Sequence, residues 1–216
     1  MRILGIDGAL GAFTAAVRDG DAVLATVTVE AKRGLEDGLS AIARCLADAE
    51  ISGAALDRIA IGIGPGGFTG LRIAVAYAKA LAFGWGVDLV GFSSYDLLEA
   101  GLTLPDVLTV VSGRTGIISA RYRGAGGEQR ASGPIPDVLA TVLECAPTSL
   151  PILGASKDVQ RACAERGILV NPTASRFTHA ATAATYLALT ADAPASPHAL
   201  RADYGEAPAA KLPDAR

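Results

Sequence analysis

The hydrophobic period of this chain changes once, near Leu35, and that change restricts the fold more than any other feature. Before it, apolar residues come in short runs. Arg2 to Ile6 is closed by Asp7-Gly8, and Phe13 to Val17 is closed by Arg18-Asp19-Gly20-Asp21. In Ala22 to Val29, Val23, Ala25, Val27 and Val29 share one face while Thr26, Thr28 and Glu30 share the other. Period two with β-branched enrichment and an Asp-Gly turn predicts an antiparallel meander of three strands. After the change, Leu35, Leu39, Ile42, Ala43 and Leu46 recur at spacings of three and four, which lines one face of an amphipathic helix ending near Ile51-Ser52-Gly53.

Asp57 to Gly62 then predicts a strand, Gly64 to Gly67 a glycine-rich turn, Thr69 to Phe83 a helix, Val87 to Val90 a strand and Ser93 to Ala100 a helix. The order β-β-β-α-β-α-β-α sets a three-stranded meander beside parallel strands with helical crossovers, which is the order of a ribonuclease H-like fold. Near residue 102 the pattern restarts. Val107 to Val111 and Ile117 to Tyr122 form a hairpin, Gly124 to Pro136 is turn-rich, and a helix near Asp137 to Glu144 follows. Pro151 to Gly154, Ser156 to Arg166, Ile168 to Val170 and Thr178 to Leu189 predict strand, helix, strand and helix. The expected organisation is an N-terminal lobe over 1–101, a smaller and less regular lobe over 102–190, and an Ala/Pro-rich, loosely held tail over 191–216.

Of the 216 residues, 50% are hydrophobic and 19% charged, and 19 basic against 22 acidic side chains leave a formal net charge of -3. This excludes a disordered chain and a domain that holds nucleic acid by its overall field. Leu71 to Tyr95, the most apolar long segment, is interrupted by Arg72, Lys79 and Asp88, so no membrane span is expected. Asp7 breaks the first apolar run before an export signal forms, and Cys45, Cys145 and Cys163 are too few and too scattered for a disulfide framework. Buried thiols in a reducing cytoplasm are the expectation.

Gly62 to Gly70 is the densest part of the chain. A Walker A loop is excluded because Phe68 stands where the lysine belongs. Gly62, Gly64 and Gly67 satisfy G-x-G-x-x-G, but the acid about 20 positions on, Asp88, falls at the wrong end of its strand for ribose binding. A third reading is a tight turn at a helix N-terminus, with Thr69 as N-cap and the backbone of Gly66 and Gly67 either meeting an anion or allowing close packing. Arg72 in the first helical turn opposes the dipole unless an anion answers it or it points into water. Asp7 either holds a metal or water near a phosphate or bonds its own turn. On this helix Leu71, Val75, Ala78 and Ala82 form one stripe, and Ile73, Ala76, Tyr77, Ala80 and Phe83 cover much of the rest. A helix apolar nearly all round is buried on more than one side, so a second element or a second protein must cover it. Catalytic constellations are scarce: His179 and His198 are the only histidines, neither has a metal-ligand neighbour in sequence, and no nucleophile motif is present.

Arg2-Ile3-Leu4-Gly5-Ile6-Asp7, Gly64-Pro65-Gly66-Gly67-Phe68-Thr69-Gly70-Leu71-Arg72-Ile73 and Val90-Gly91-Phe92-Ser93-Ser94-Tyr95 together resemble the TsaB (YeaZ) family, well over residues 1–100 and thinly beyond, where Pro197, Leu200 and Arg201 match its P-x-x-L-R. The resemblance implies a two-lobed ASKHA fold, the architecture shared by acetate kinase, sugar kinases, Hsp70 and actin. It also implies a non-catalytic scaffold that dimerises with TsaD for transfer of threonylcarbamoyl to N6 of adenosine 37 in tRNAs reading ANN codons. TsaD carries a metal-binding His-x-x-x-His pair that this sequence lacks. TsaE joins a larger complex, tRNA is reached only through that complex, the chain alone forms a homodimer, and no cofactor is called for. The helices matching the family's interface are Leu35 to Ala49 and Thr69 to Phe83, which gives Leu35, Leu39, Ile42, Ala43, Leu46, Leu71, Arg72, Val75, Ala78, Lys79 and Ala82 as candidate contacts.

The chain departs from the family at Gly8-Ala9-Leu10, Glu36-Asp37 and Ser112-Gly113-Arg114, where polar groups are lost, and nucleotide binding is not carried over. Two rival functions remain on the residues: a small ASKHA-type nucleotide hydrolase or kinase acting alone through Asp7 and the Gly66-Gly67 loop, and a peptidase.

Overall fold

The computed structural model describes residues 1–30, 33–191 and 196–205. Strands β1 (Arg2–Asp7), β2 (Phe13–Asp19) and β3 (Ala22–Val29) pair antiparallel as the alternation predicts. Helix α1 (Gly34–Asp48) leads into β4 (Arg58–Gly62), α2 (Phe68–Trp85), β5 (Asp88–Phe92) and α3 (Ser94–Glu99), with β4 and β5 parallel to β1. The sheet order is β3-β2-β1-β4-β5. β1, β2 and β4 are covered on both faces and so read as continuous apolar runs, whereas β3 is a half-exposed edge that alternates.

The second half repeats this plan: β6 (Val107–Ser112), β7 (Ile117–Gly124), β8 (Gly127–Pro134), α4 (Ile135–Val142), β9 (Ser149–Leu153), α5 (Lys157–Glu165), β10 (Leu169–Pro172) and α6 (Ala180–Ala188). Its order, read as β8-β7-β6-β9-β10, matches the first sheet strand for strand, antiparallel through β6-β7-β8 and parallel through β6-β9-β10. The fold is therefore the two-lobed ASKHA arrangement of tandem ribonuclease H-like units. The reduction of the second unit lies in its helices: α4 and α5 have 8 and 9 residues against 15 and 18 in α1 and α2. The stretch expected to be turn-rich holds β8, which pairs with β7 along its whole length. Gly127-Glu-Gln-Arg-Ala-Ser-Gly-Pro134 lacks apolar alternation because β8 is an exposed edge held by backbone bonds.

Helices α1 and α2 cover one face of the first sheet, and Gly38 lets them approach, since a Cβ there would stand 2.9 Å from the Tyr77 ring. The other face is covered by α6, the last helix of the second repeat, which packs on β1, β2 and β4. Gly5 makes room for it, because a Cβ there would lie 2.1 Å from the Ala181 carbonyl oxygen. Arg18 Nε donates to Thr185 Oγ1 at 3.0 Å, and an Arg58 guanidinium nitrogen donates to the Ala188 carbonyl at 2.8 Å. In return α3 packs against β6 of the second sheet.

The described part of the tail is not loose. Leu200 is buried in the first core, and the Asp203 N–H donates to the Ile63 carbonyl at 2.7 Å. Residues 192–195 and 206–216, covered by the same expectation, lie outside the described residues. Cys45 and Cys163 are buried, while Cys145 is exposed, contrary to expectation, just beyond α4.

Candidate functional site

The glycine-rich segment turns out to be a packing device pressed on the turn that follows β1. A Cβ at Gly62 would meet Asp7 Oδ1 at 2.0 Å, one at Gly66 the Ala9 carbonyl oxygen at 2.2 Å, and one at Gly70 the Gly8 carbonyl oxygen at 2.1 Å. The Gly67 N–H is already engaged, donating to the Ala9 carbonyl at 2.8 Å. Close packing is therefore the alternative the geometry selects. Thr69 is not the N-cap: α2 begins at Phe68 with Gly67 in the capping position, because the Gly67–Ala9 bond anchors the chain there. Ser93 caps α3, its hydroxyl accepting the Asp96 N–H at 3.1 Å.

Asp7 is fully buried, and its Oδ2 accepts the N–H groups of Ala9 and Leu10, each at 3.1 Å. It is a turn residue, and the lack of a Cβ at Gly62 lets the β4 backbone close directly over its carboxylate. Burial pushes its pKa up to about 6 although the Leu10 and Ala9 bonds pull it down. The sign of the consequence follows directly: the folded state holds this proton more tightly than the unfolded chain, so Asp7 costs stability as pH rises from 3.8 through about 6. The stability of Asp7→Asn relative to the parent should improve by roughly 2 kcal/mol between pH 4 and pH 7. Urea titrations at both values measure it, and a pH-independent difference would refute the assignment.

The candidate contact residues divide into two groups. Ile42, Leu46, Leu71, Val75, Ala78 and Ala82 are buried in their own lobe and hold its core rather than its surface. Leu39, Ala43 and Arg72 face solvent, Lys79 is half-buried, and the Leu35 side chain lies outside what is described. The outward stripe of α2 is Thr69, Arg72, Ala76, Ala80 and Phe83, spaced by three and four residues. Its apolar end is pronounced: Phe83 is 74% exposed, and Leu39 on neighbouring α1 is 49% exposed. Arg72 stacks over the Phe68 ring at 5.2 Å, which answers its misfit with the helix dipole without an anion. Sequence periodicity detects both stripes of α2 but does not say which one the sheet takes; the exposed one contains Ala76, Ala80 and Phe83.

A cleft of about 890 Å³ separates the lobes, walled by Gly66, Gly67 and Phe68 on one side, Arg114, Ser119 and Ser132 on the other, with Tyr204 at the edge. Tyr204 packs on Phe68 with ring centroids 5.1 Å apart. Both histidines have local roles: His179 Nδ1 is 3.4 Å from Thr28 Oγ1, and His198 lies edge-on to Phe83. Among the described residues no three His, Cys, Asp or Glu side chains cluster as metal ligands, and no helix is long and apolar enough to cross a membrane.

Comparison with known proteins brings these features together. The family model for TsaD, tRNA N6-adenosine threonylcarbamoyltransferase, matches residues 29–197. An uncharacterized protein of Mycobacterium leprae is 34% identical over 137 residues, covering 61% of this chain and 37% of that protein. An uncharacterized protein of Mycobacterium tuberculosis is 39% identical over 115 residues, covering 52% of this chain and 54% of that protein. The matches thus span about half or less of those relatives. Among solved structures, a Pseudomonas aeruginosa protein described as similar to peptidase YEAZ superposes with a TM-score of 0.74 at 18% identity, covering 95% of this chain and 99% of that one. YeaZ from Pseudomonas aeruginosa gives 0.73 at 18% identity, with coverage of 94% and 99%.

Proposed function

Because the chain belongs to the family of TsaD, tRNA N6-adenosine threonylcarbamoyltransferase, we propose that it is a subunit of the TsaB (YeaZ) type, non-catalytic, that docks TsaD and supports transfer of threonylcarbamoyl to tRNA. The observation that carries this is the outward face of α1 and α2, where Leu39, Ala43, Ala76, Ala80 and Phe83 stand in water beside Arg72 and Lys79. Covering apolar surface is worth roughly 25 cal/mol per Å², and small residues beside a large aromatic let a second helix pair approach closely. The same face pairs with itself when TsaD is absent. TsaE joins the assembly in the cytoplasm, and tRNA is held through the complex, in keeping with the net charge of -3.

Light scattering of the full chain with and without TsaD tests the reading. The expected result is a homodimer alone that converts to a complex of both chains; a mass unchanged by TsaD would overturn it. The interlobe cleft favours one rival, a nucleotide hydrolase or kinase, and calorimetric titration with Mg-ATP separates the two. Burial of Asp7 keeps the carboxylate that such an enzyme would use out of the cleft, so neither tight binding nor turnover is expected.

A further inference from the structure

The second sheet turns one face toward the first lobe. Along β7, Ser119, Arg121 and Arg123 share that face, opposite Ser132, Arg130 and Glu128 on β8. Ser119 and Ser132 wall the open cleft. Two residues further, about 7 Å along the strand, the same face is fastened to α3 of the first repeat. Arg121 is 4% exposed, donates to Asp96 Oδ1 at 2.7 Å, pairs with Glu99 Oε1 at 3.0 Å, and lies over the Tyr95 ring at 5.1 Å. Glu99 is 8% exposed, accepts the Thr109 hydroxyl at 2.5 Å, and is met by Arg123 at 2.8 Å. Burial opposes the charge on Arg121, yet Asp96 and Glu99 hold its pKa above the ordinary value.

We propose that this cluster is an interlobe lock that keeps the cleft at one width, so that the two lobes move as a single body. Opening the cleft at this end would part α3 from β6 and β7 and break the Arg121–Asp96, Arg121–Glu99 and Arg123–Glu99 pairs and the Thr109–Glu99 hydrogen bond at once, together with the packing around them. Two independent ties act in the same sense. Gly205 of the C-terminal segment is wedged between the lobes, where a Cβ would stand 2.5 Å from Ser119 Oγ and 3.1 Å from Pro65 Cβ. The crossing of α6 onto the first sheet adds the other tie. This chain therefore lacks the hinge closure with which many two-lobed proteins engulf a ligand, and the proposal stands whether or not the docking face is the one argued above.

Paired spin labels test it on the full chain. With exposed Cys145 changed to Ser, labels at Ser52→Cys and Ala164→Cys, diluted into unlabelled protein, report the separation of the lobes. The expected result is one narrow distance distribution that millimolar Mg-ATP does not move, and that Arg121→Met or Glu99→Gln broadens at least twofold with the far-ultraviolet dichroism spectrum retained. A parent distribution that is bimodal or shifts with Mg-ATP would overturn the lock, as would folded variants that stay narrow. Should Arg121→Met not fold, Arg121→Lys keeps the charge, loses the fork to Asp96 and Glu99, and gives the same readout.

Discussion

Replacing Ala76 with glutamate should leave the chain folded and weaken its association with TsaD roughly 100-fold, whereas Val75→Glu, one residue away, should not fold. Ala76 is exposed on the outward stripe of α2, while Val75 is buried in the first core. A glutamate at 76 is hydrated in the free subunit and stable in the helix, but in a complex it loses its water among Leu39, Ala80 and Phe83, and Arg72 one turn away offsets only part of that cost. The cost falls on binding alone, about 3 kcal/mol, or roughly a hundredfold in Kd. At 75 the same carboxylate is desolvated in the folded monomer itself, and a loss of several kcal/mol is a large part of the whole stability of a domain. Thermal melting and isothermal titration of both variants decide the matter. Full-strength association of a folded Ala76→Glu protein would rule out this face.

The second large effect concerns backbone contact. Gly5→Ala places a methyl group 2.1 Å from the Ala181 carbonyl oxygen and 2.7 Å from Thr185 Cγ2, so α6 must lift from β1. Because the obstacle is helix backbone, the cost should reach about 3 kcal/mol, which lowers Tm by roughly 6–12 °C in a chain of this size. Gly84→Ala is the matched control. It lies inside α2 with nothing within 4 Å of the added carbon, and it should raise stability by about 0.5–1 kcal/mol by restricting the unfolded chain. Scanning calorimetry of the two variants should show shifts of opposite sign; similar Tm values would mean that α6 does not bear on β1 as described.

How far the site was legible varies with the residue. The stripe Leu71, Val75, Ala78 and Ala82 was visible as apolar periodicity, but periodicity is the same for a face that meets a sheet and a face that meets another protein. Burial separates them: the sheet takes that stripe, and Ala76, Ala80 and Phe83 are left exposed. Asp7 stood out at a strand end, yet only the fold shows Gly62 closing over it. Arg121 and Glu99 carried no motif at all, because their partners lie 25 and 22 residues away, on opposite sides of a lobe boundary.

The sequence alone determined the local elements and their order, because hydrophobic period, turn residues and helix length act within a few neighbouring positions. That included the doubled β-β-β-α-β-α-β-α plan, apart from the polar edge strand β8, whose backbone pairing leaves no mark on side-chain chemistry. Only the tertiary structure decided that α6 returns to the first sheet, that the C-terminal segment reaches across to Ser119, and that charges on α3 meet Arg121 of the second sheet. Those outcomes depend on long-range packing and on desolvation of paired charges, quantities that no window of sequence contains.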